Sequence, residues 1–273
     1  MERLEAALAK AREQRKARAG AGIGEFDAAQ RIAPAGMDWA GLPSITIPAD
    51  RAQKNRIAAL VAGKDAAPFD MLRSRTYRTM KEKSWTRLAV TSPDASCGKT
   101  TVSLNLAISL ARQKDLRIML IDLDLRRPAL HKILGQTPKH SFWEVLERKA
   151  DFADCARVIG GNLVVAMNAA AARNPAELLH STQTSTVLTE IEQSWRPDIT
   201  IFDMSPMLAS DDNVGFLGNV DCALLIAAAE GTRLSNIDIC EKELAQLTNV
   251  MGVVLNKCRY TDDSVGYNYG TYY

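Results

Sequence analysis

At 273 residues the chain is long enough for one large domain, or one domain with an extension, and 47% apolar residues can fill a sizeable core. A formal net charge of +2 makes no electrostatic case for nucleic acid, and no nucleic-acid partner is expected. Five scattered cysteines without a C-x-x-C pair argue against a disulfide framework or zinc site and for a reducing, cytoplasmic setting.

Residues 1–19 are rich in Ala, Glu, Lys and Arg with a thin apolar stripe, which predicts a solvated helix, alternatively a docking helix. Residues 20–66 carry Gly20, Gly22, Gly24, Pro34, Gly36, Gly41 and Pro43 without periodicity and read as a linker lying on the domain. Pro68–Lys83 predicts a helix with Pro68 in its first turn. Leu88–Val90 is a short apolar strand that ends in small polar residues. Gly98, Lys99, Thr100 and Thr101 follow, and then an amphipathic helix with Val102, Leu106 and Leu110 on one face. Strand, tight loop and helix form the setting of a phosphate-binding loop. Backbone N–H groups at a helix start lack partners and carry partial positive charge, so a polyphosphate can fill them. Ser96, Cys97, Gly98, Lys99, Thr100 and Thr101 would contact the nucleotide, Lys99 reaching the outer phosphates and the Thr100 hydroxyl a Mg²⁺ ion. The match to G-x-x-x-x-G-K-[ST] departs at its first position, where Pro93 stands, and Ser96 occupies a place where a second glycine is common. A residue there with φ > 0 would be strained. Cys97, read as lying within the N–H ring, is either a small residue tolerated there or a thiol whose oxidation blocks the nucleotide.

Leu116–Ile121 is a continuous apolar run, the pattern of a parallel strand covered on both faces, and it delivers Asp122 and Asp124 to its carboxyl end. A helix at Ser141–Arg148, a strand at Gly161–Ala166 and a long helix over Pro175–Ser194, capped by Asn174, come next. Asp198–Asp203 is a strand ending in an acid; Ala223–Ala228 and Val250–Asn256 are further strands, with a helix at Ser235–Leu247 between them. The alternation predicts an α/β fold with a doubly wound, mostly parallel sheet. Asp122 and Asp203, beside a phosphate loop, would hold the metal together with Thr100; alone, each reads as a turn or capping acid. Arg126 and Arg127 would clamp phosphate, pair with a neighbour's acids or serve as ordinary surface cations. The chain has six tyrosines, and Tyr260, Tyr267, Tyr269, Tyr272 and Tyr273 fall in its last fourteen residues among Gly, Asn and Asp. Such a segment is expected to be flexible, and its phenols are candidate phosphoacceptors. A phenol with pKa near 10 needs a base to attack a phosphate, and Asp124 is the candidate.

Taken together, SPDASCGKTT, MLIDLDLRRP, the N-P-A-E-L-L at Asn174–Leu179, ITIFDMSP and the terminal tyrosines resemble the bacterial tyrosine kinases of capsular and exopolysaccharide synthesis. The resemblance runs from Phe69 to Tyr273. It implies a P-loop NTPase fold of the MinD/ParA-like group, ATP and Mg²⁺ as cofactors, and Lys99, Asp122, Asp124 and Asp203 as catalytic residues. It implies transfer to a neighbour's tail in a ring-shaped homo-oligomer, and Asn256 as an adenine contact. It further implies a membrane polysaccharide co-polymerase as activator on a separate chain, a tyrosine phosphatase as a further partner, and a cytoplasmic location peripheral to the inner membrane. The family's ring-building motif, E-x-x-R-x-x-R, is here Asp70-x-x-Arg73 followed by Arg75 and Arg78. The expected organisation is an N-terminal helix and linker over 1–66, a kinase domain over 67–258 and a tail over 259–273. Two other readings stay open. One is a ParA/MinD-like positioning ATPase, disfavoured by Asp94 where that group carries a signature lysine. The other is a nucleotide-binding regulator that has lost catalysis.

Overall fold

The computed structural model describes residues 37–61 and 63–259. The predicted N-terminal helix and all five tail tyrosines lie outside them. No helix among the described residues is long and apolar enough to cross a membrane.

Between Trp39 and Leu60 the chain is more than a strap. A short 3-10 turn at Trp39–Gly41, helix α1 (Ala49–Lys54) and a second turn at Ala58–Leu60 bury Trp39, Leu42, Ala52, Ile57 and Ala59. The Trp39 indole N–H donates to the Trp195 carbonyl (2.7 Å), which gives its polar edge a partner inside the core. Glycine and proline break periodicity without preventing burial, so this segment's packing was invisible in its pattern. Helix α2 (Ala67–Lys83) follows, with Pro68 in its first turn and Ser84 closing it in the left-handed conformation.

Among the described residues the sheet has seven strands: β1 (Arg87–Thr91), β2 (Ile118–Leu123), β3 (Ala156–Ile159), β4 (Leu163–Ala166), β5 (Ile199–Met204), β6 (Cys222–Ala228) and β7 (Asn249–Asn256). Their spatial order is β3-β4-β2-β5-β1-β6-β7, every pairing parallel except β3 with β4. The antiparallel β3 was not expected; as a short edge strand joined to β4 by Gly160 and Gly161, both at positive φ, it offers too few residues for a pattern. Between strands run α3 (Lys99–Leu110), α4 (Leu130–Leu134), α5 (Phe142–Leu146), α6 (Phe152–Cys155), α7 (Pro175–His180), α8 (Thr182–Trp195), α9 (Asp212–Phe216) and α10 (Leu234–Leu247). The helix expected over Pro175–Ser194 is two helices. Ser181 leaves helical geometry (ψ 142°), and its hydroxyl accepts from the Thr184 N–H, starting α8. Asn174 stands at the start of α7 but its side chain makes no capping bond.

Strand residues alternate between two cores. Met119, Ile121 and Leu123 of β2, with Phe202 and Met204 of β5, pack against the side holding Phe142, Leu188 and Trp195. Ile118 and Leu120, with Ile199 and Ile201, pack against the side holding α3's Leu104, Leu106 and Leu110. By that parity Asp122 and Asp203 fall on the α3 side. The β2–β5 register places them opposite each other. β1 lies between β5 and β6, so the loop after β1 opens where successive connections diverge, the usual ligand crevice of such sheets.

Candidate functional site

The loop from Ser92 to Gly98 is held from three sides. Thr91 Oγ1 donates to the Ser205 carbonyl (2.8 Å), and the Met207 and Leu208 amides donate to the carbonyls of Ser92 and Pro93 (2.8 and 3.1 Å). Asp94 accepts from Asn236 Nδ2 of α10 (3.2 Å), so the position of a signature lysine is here an acid tied to a neighbouring helix. Asn256, at the end of β7, donates through Nδ2 to the Cys97 carbonyl (2.8 Å). Ser96 does adopt positive φ (64°), the strained geometry that a side chain at this place entails. Gly98 caps α3 at φ 90°, and a Cβ there would stand 2.3 Å from Asn256 Nδ2; conformation and space both require glycine.

The loop and the start of α3 form one wall of a cavity of about 500 Å³. Of the residues expected to bind nucleotide, Ser96, Gly98, Lys99, Thr100 and Thr101 line it, as do Asp124, Arg126 and Arg127. Cys97 does not. Its side chain is 2% exposed and turned inward, Sγ lying 3.4 Å from Thr232 Oγ1, so the thiol is packed beneath the loop instead of facing the N–H ring. Asn256 is likewise absent from the lining and braces the loop from behind.

Lys99 is 6% exposed, and its Nζ stands 3.6 Å from Asp124 Oδ2. Burial raises the Asp124 carboxyl above its ordinary range, opposed by the Lys99 charge and the Arg127 N–H. Asp122 and Asp203 lie fully buried behind this pair. Burial pushes Asp122 well above the usual carboxylate range, with the charges of Asp203 and Asp124 adding to it. Burial also raises Asp203, to about 6, against the pull of Lys99 and the Thr100 and Ser103 hydroxyls; Ser103 Oγ donates to Asp203 Oδ1 (3.2 Å).

Asp122 Oδ1 and Asp203 Oδ2 are buried without a hydrogen-bond partner. Orphaned carboxylate oxygens are costly, and a hard cation or its water shell would satisfy both. No group of three or more His, Cys, Asp or Glu among the described residues could hold a metal by itself. Mg²⁺ takes one or two protein oxygens and draws the rest from water and phosphate, and the two orphaned carboxylate oxygens could supply that share. Thr100, Asp122 and Asp203 therefore fit the ion.

Sequence reasoning named Arg126 but missed the buried acid that holds it, and missed two further parts of the site. Arg126 forks onto Asp212 (Nε and Nη2 to the two carboxylate oxygens, both 2.9 Å), so it is held by α9's buried acid. Ser205, Pro206, Ala209 and Ser210, after β5, form part of the cavity wall. Lys257, directly after β7, lines the cavity too. On α2, Asp70 accepts from Ser109 Oγ (2.8 Å) and Arg112 Nη1 (2.7 Å), with Arg73 at 3.6 Å, so the acid of the variant ring motif is engaged within the chain.

The chain is 28% identical over 238 residues to the tyrosine-protein kinase ptk of Acinetobacter johnsonii, covering 81% of this chain and 32% of that protein. It is 28% identical over 211 residues to the tyrosine-protein kinase YwqD of Bacillus subtilis, covering 73% and 87%. The kinase domain of Escherichia coli tyrosine kinase ETK superposes with a TM-score of 0.69 at 26% identity, over 84% of this chain and 87% of that domain. The chain thus spans about a third of the Acinetobacter kinase but most of the Bacillus one. The model of the CobQ/CobB/MinD/ParA nucleotide binding domain matches residues 88–266, from β1 past the end of β7, and the chain belongs to that family.

Proposed function

We propose that the chain is an ATP-dependent protein-tyrosine autokinase whose acceptors are Tyr260, Tyr267, Tyr269, Tyr272 and Tyr273, serving capsule or exopolysaccharide polymerisation or export. The observation that carries this reading is that Lys99, Thr100 and Asp124 line one cavity with Asp122 and Asp203 buried next to them, in a sequence whose tyrosines cluster in its last fourteen residues. Its relatives' names and the match to the ETK kinase domain support it.

Phosphoryl transfer is mainly positioning and charge neutralisation. The loop amides and Lys99 would hold the polyphosphate, and Thr100, Asp122 and Asp203 the Mg²⁺ that neutralises its charge. Lys99 sits on Asp124. A phosphate that drew Lys99 away would free a carboxylate whose burial raises its basicity, and that carboxylate would take the phenol proton. Asn256 holds the loop to β7. By the same resemblance the protein works as a homo-oligomer in trans, is activated by a membrane-embedded polysaccharide co-polymerase and reversed by a phosphatase, at the cytoplasmic side of the membrane.

The test is mass spectrometry of the full chain after incubation with Mg-ATP, produced in a host lacking such kinases. Phosphotyrosine is expected within residues 260–273, and Lys99→Met should reduce it by at least about 100-fold. Phosphate release without phosphotyrosine would make the protein a positioning ATPase, and neither product would make it a regulator without catalysis.

A further inference from the structure

The end of β7 carries a residue that the kinase reading leaves unused. Lys257 turns the chain at φ 62°, a region glycine enters without strain and side-chain-bearing residues rarely occupy. Other non-glycine residues at positive φ, such as Ser84 and Arg196, close helices, where this conformation is routine. Among the described residues of this kind, Ser96 and Lys257 are the two that line the nucleotide cavity. Strain retained at a cavity wall points to use of the side chain.

The neighbouring contacts fix where that side chain can act. Asn256 is bonded to the Cys97 carbonyl and packed on Gly98, so the strand end is seated against the phosphate loop and the next residue is held at the cavity rim. Two of the cavity's cations are already engaged, Lys99 with Asp124 (3.6 Å) and Arg126 with Asp212 (2.9 Å). Lys257 forms no ion pair among the described residues, and it approaches from the β7 side of the loop.

We infer that Lys257 is a phosphate-binding residue of the nucleotide site, meeting the polyphosphate of a nucleoside di- or triphosphate from the β7 side of the loop. This rests on the nucleotide-binding part of the proposed function. Cys258 and Arg259 alone separate Lys257 from Tyr260, so the contact also ties nucleotide occupancy to the root of the tyrosine segment.

The test is titration of ADP and adenosine into the full chain and its Lys257→Gln, Lys257→Gly and Lys257→Arg variants. The glycine variant accommodates the left-handed turn, so it separates lost charge from a damaged fold. Gln and Gly should each raise the ADP Kd about three- to tenfold, Arg should stay within about twofold of wild type, and adenosine binding should not change. Hydrogen exchange over residues 256–259 should slow on ADP addition in wild type and not in Lys257→Gln. ADP affinity unchanged in the Gln and Gly variants overturns the inference, as does an Arg variant as weak as Gln, or an equal loss for adenosine. A wild-type chain that binds no nucleotide overturns the nucleotide-binding reading itself, and the inference with it.

Discussion

Asp203 and Asp122 illustrate how a site is kept ready at a cost to its own fold. Both carboxyls are fully buried, on facing positions of β2 and β5, and each leaves one oxygen unpartnered. Burial raises Asp203 to about 6, so the folded protein keeps its proton where the unfolded chain, with an ordinary aspartate near 3.9, has lost it. Stability from this group is therefore fully present below about pH 4 and is lost as pH rises through about 6. Asp203→Asn keeps the shape and removes the ionisation. In the absence of nucleotide and metal, the variant should be more stable than wild type at pH 8, by on the order of 2 kcal/mol, and the difference should shrink towards pH 4. Thermal melts of the two proteins across that range decide it; equal midpoints at pH 8 would contradict the burial argument. The same variant should lose tail phosphorylation, a stability–activity trade-off at one side chain.

At the level of elements, the phosphate loop is a joint between β1, β7 and α3 more than a free-standing motif. Its glycine count is low, with Pro93 and Ser96 at positions where glycine is common, and its shape is instead imposed by hydrogen bonds from the loop after β5 and from Asn256. Gly98 is the position with no latitude. Gly98→Ala meets both φ 90° and the Asn256 amide at 2.3 Å, so it should cost about 2–4 kcal/mol and weaken ADP binding by more than tenfold. Adding Asn256→Ala removes the collision but not the backbone strain, so part of the stability should return. Denaturant unfolding of the single and double variants measures this, and strictly additive losses would show that the two residues do not press on each other. Ser181 works at the same scale, since one capping hydroxyl turns a predicted single helix into α7 and α8.

For the whole molecule, the sheet order brings the end of β7 to the phosphate loop. Among the described residues β7 is an edge strand, its last residue Asn256 is bonded to the Cys97 carbonyl, and Lys257 after it lines the cavity. The proposed transfer in trans is testable by mixing. A chain ending at Arg259 with an intact site should phosphorylate the tail of full-length Lys99→Met protein. Phosphotyrosine that forms only when site and tail share one chain would replace transfer in trans by transfer in cis.

The primary structure by itself determined the strand–loop–helix around Gly98–Thr101, the acids at the ends of β2 and β5, the alternation that makes a doubly wound sheet, and the clustering of tyrosines at the C-terminus. Each is a local pattern or a succession of local patterns, and local periodicity with end-of-strand chemistry suffices to read it. Tertiary structure alone decided that Cys97 faces Thr232, that Asp94 belongs to Asn236, that Arg126 is forked by Asp212 and that Lys257 joins the cavity wall. These partners lie far apart along the chain or depend on the hand of a single turn. Only the register of the sheet and the packing of its two faces bring them together.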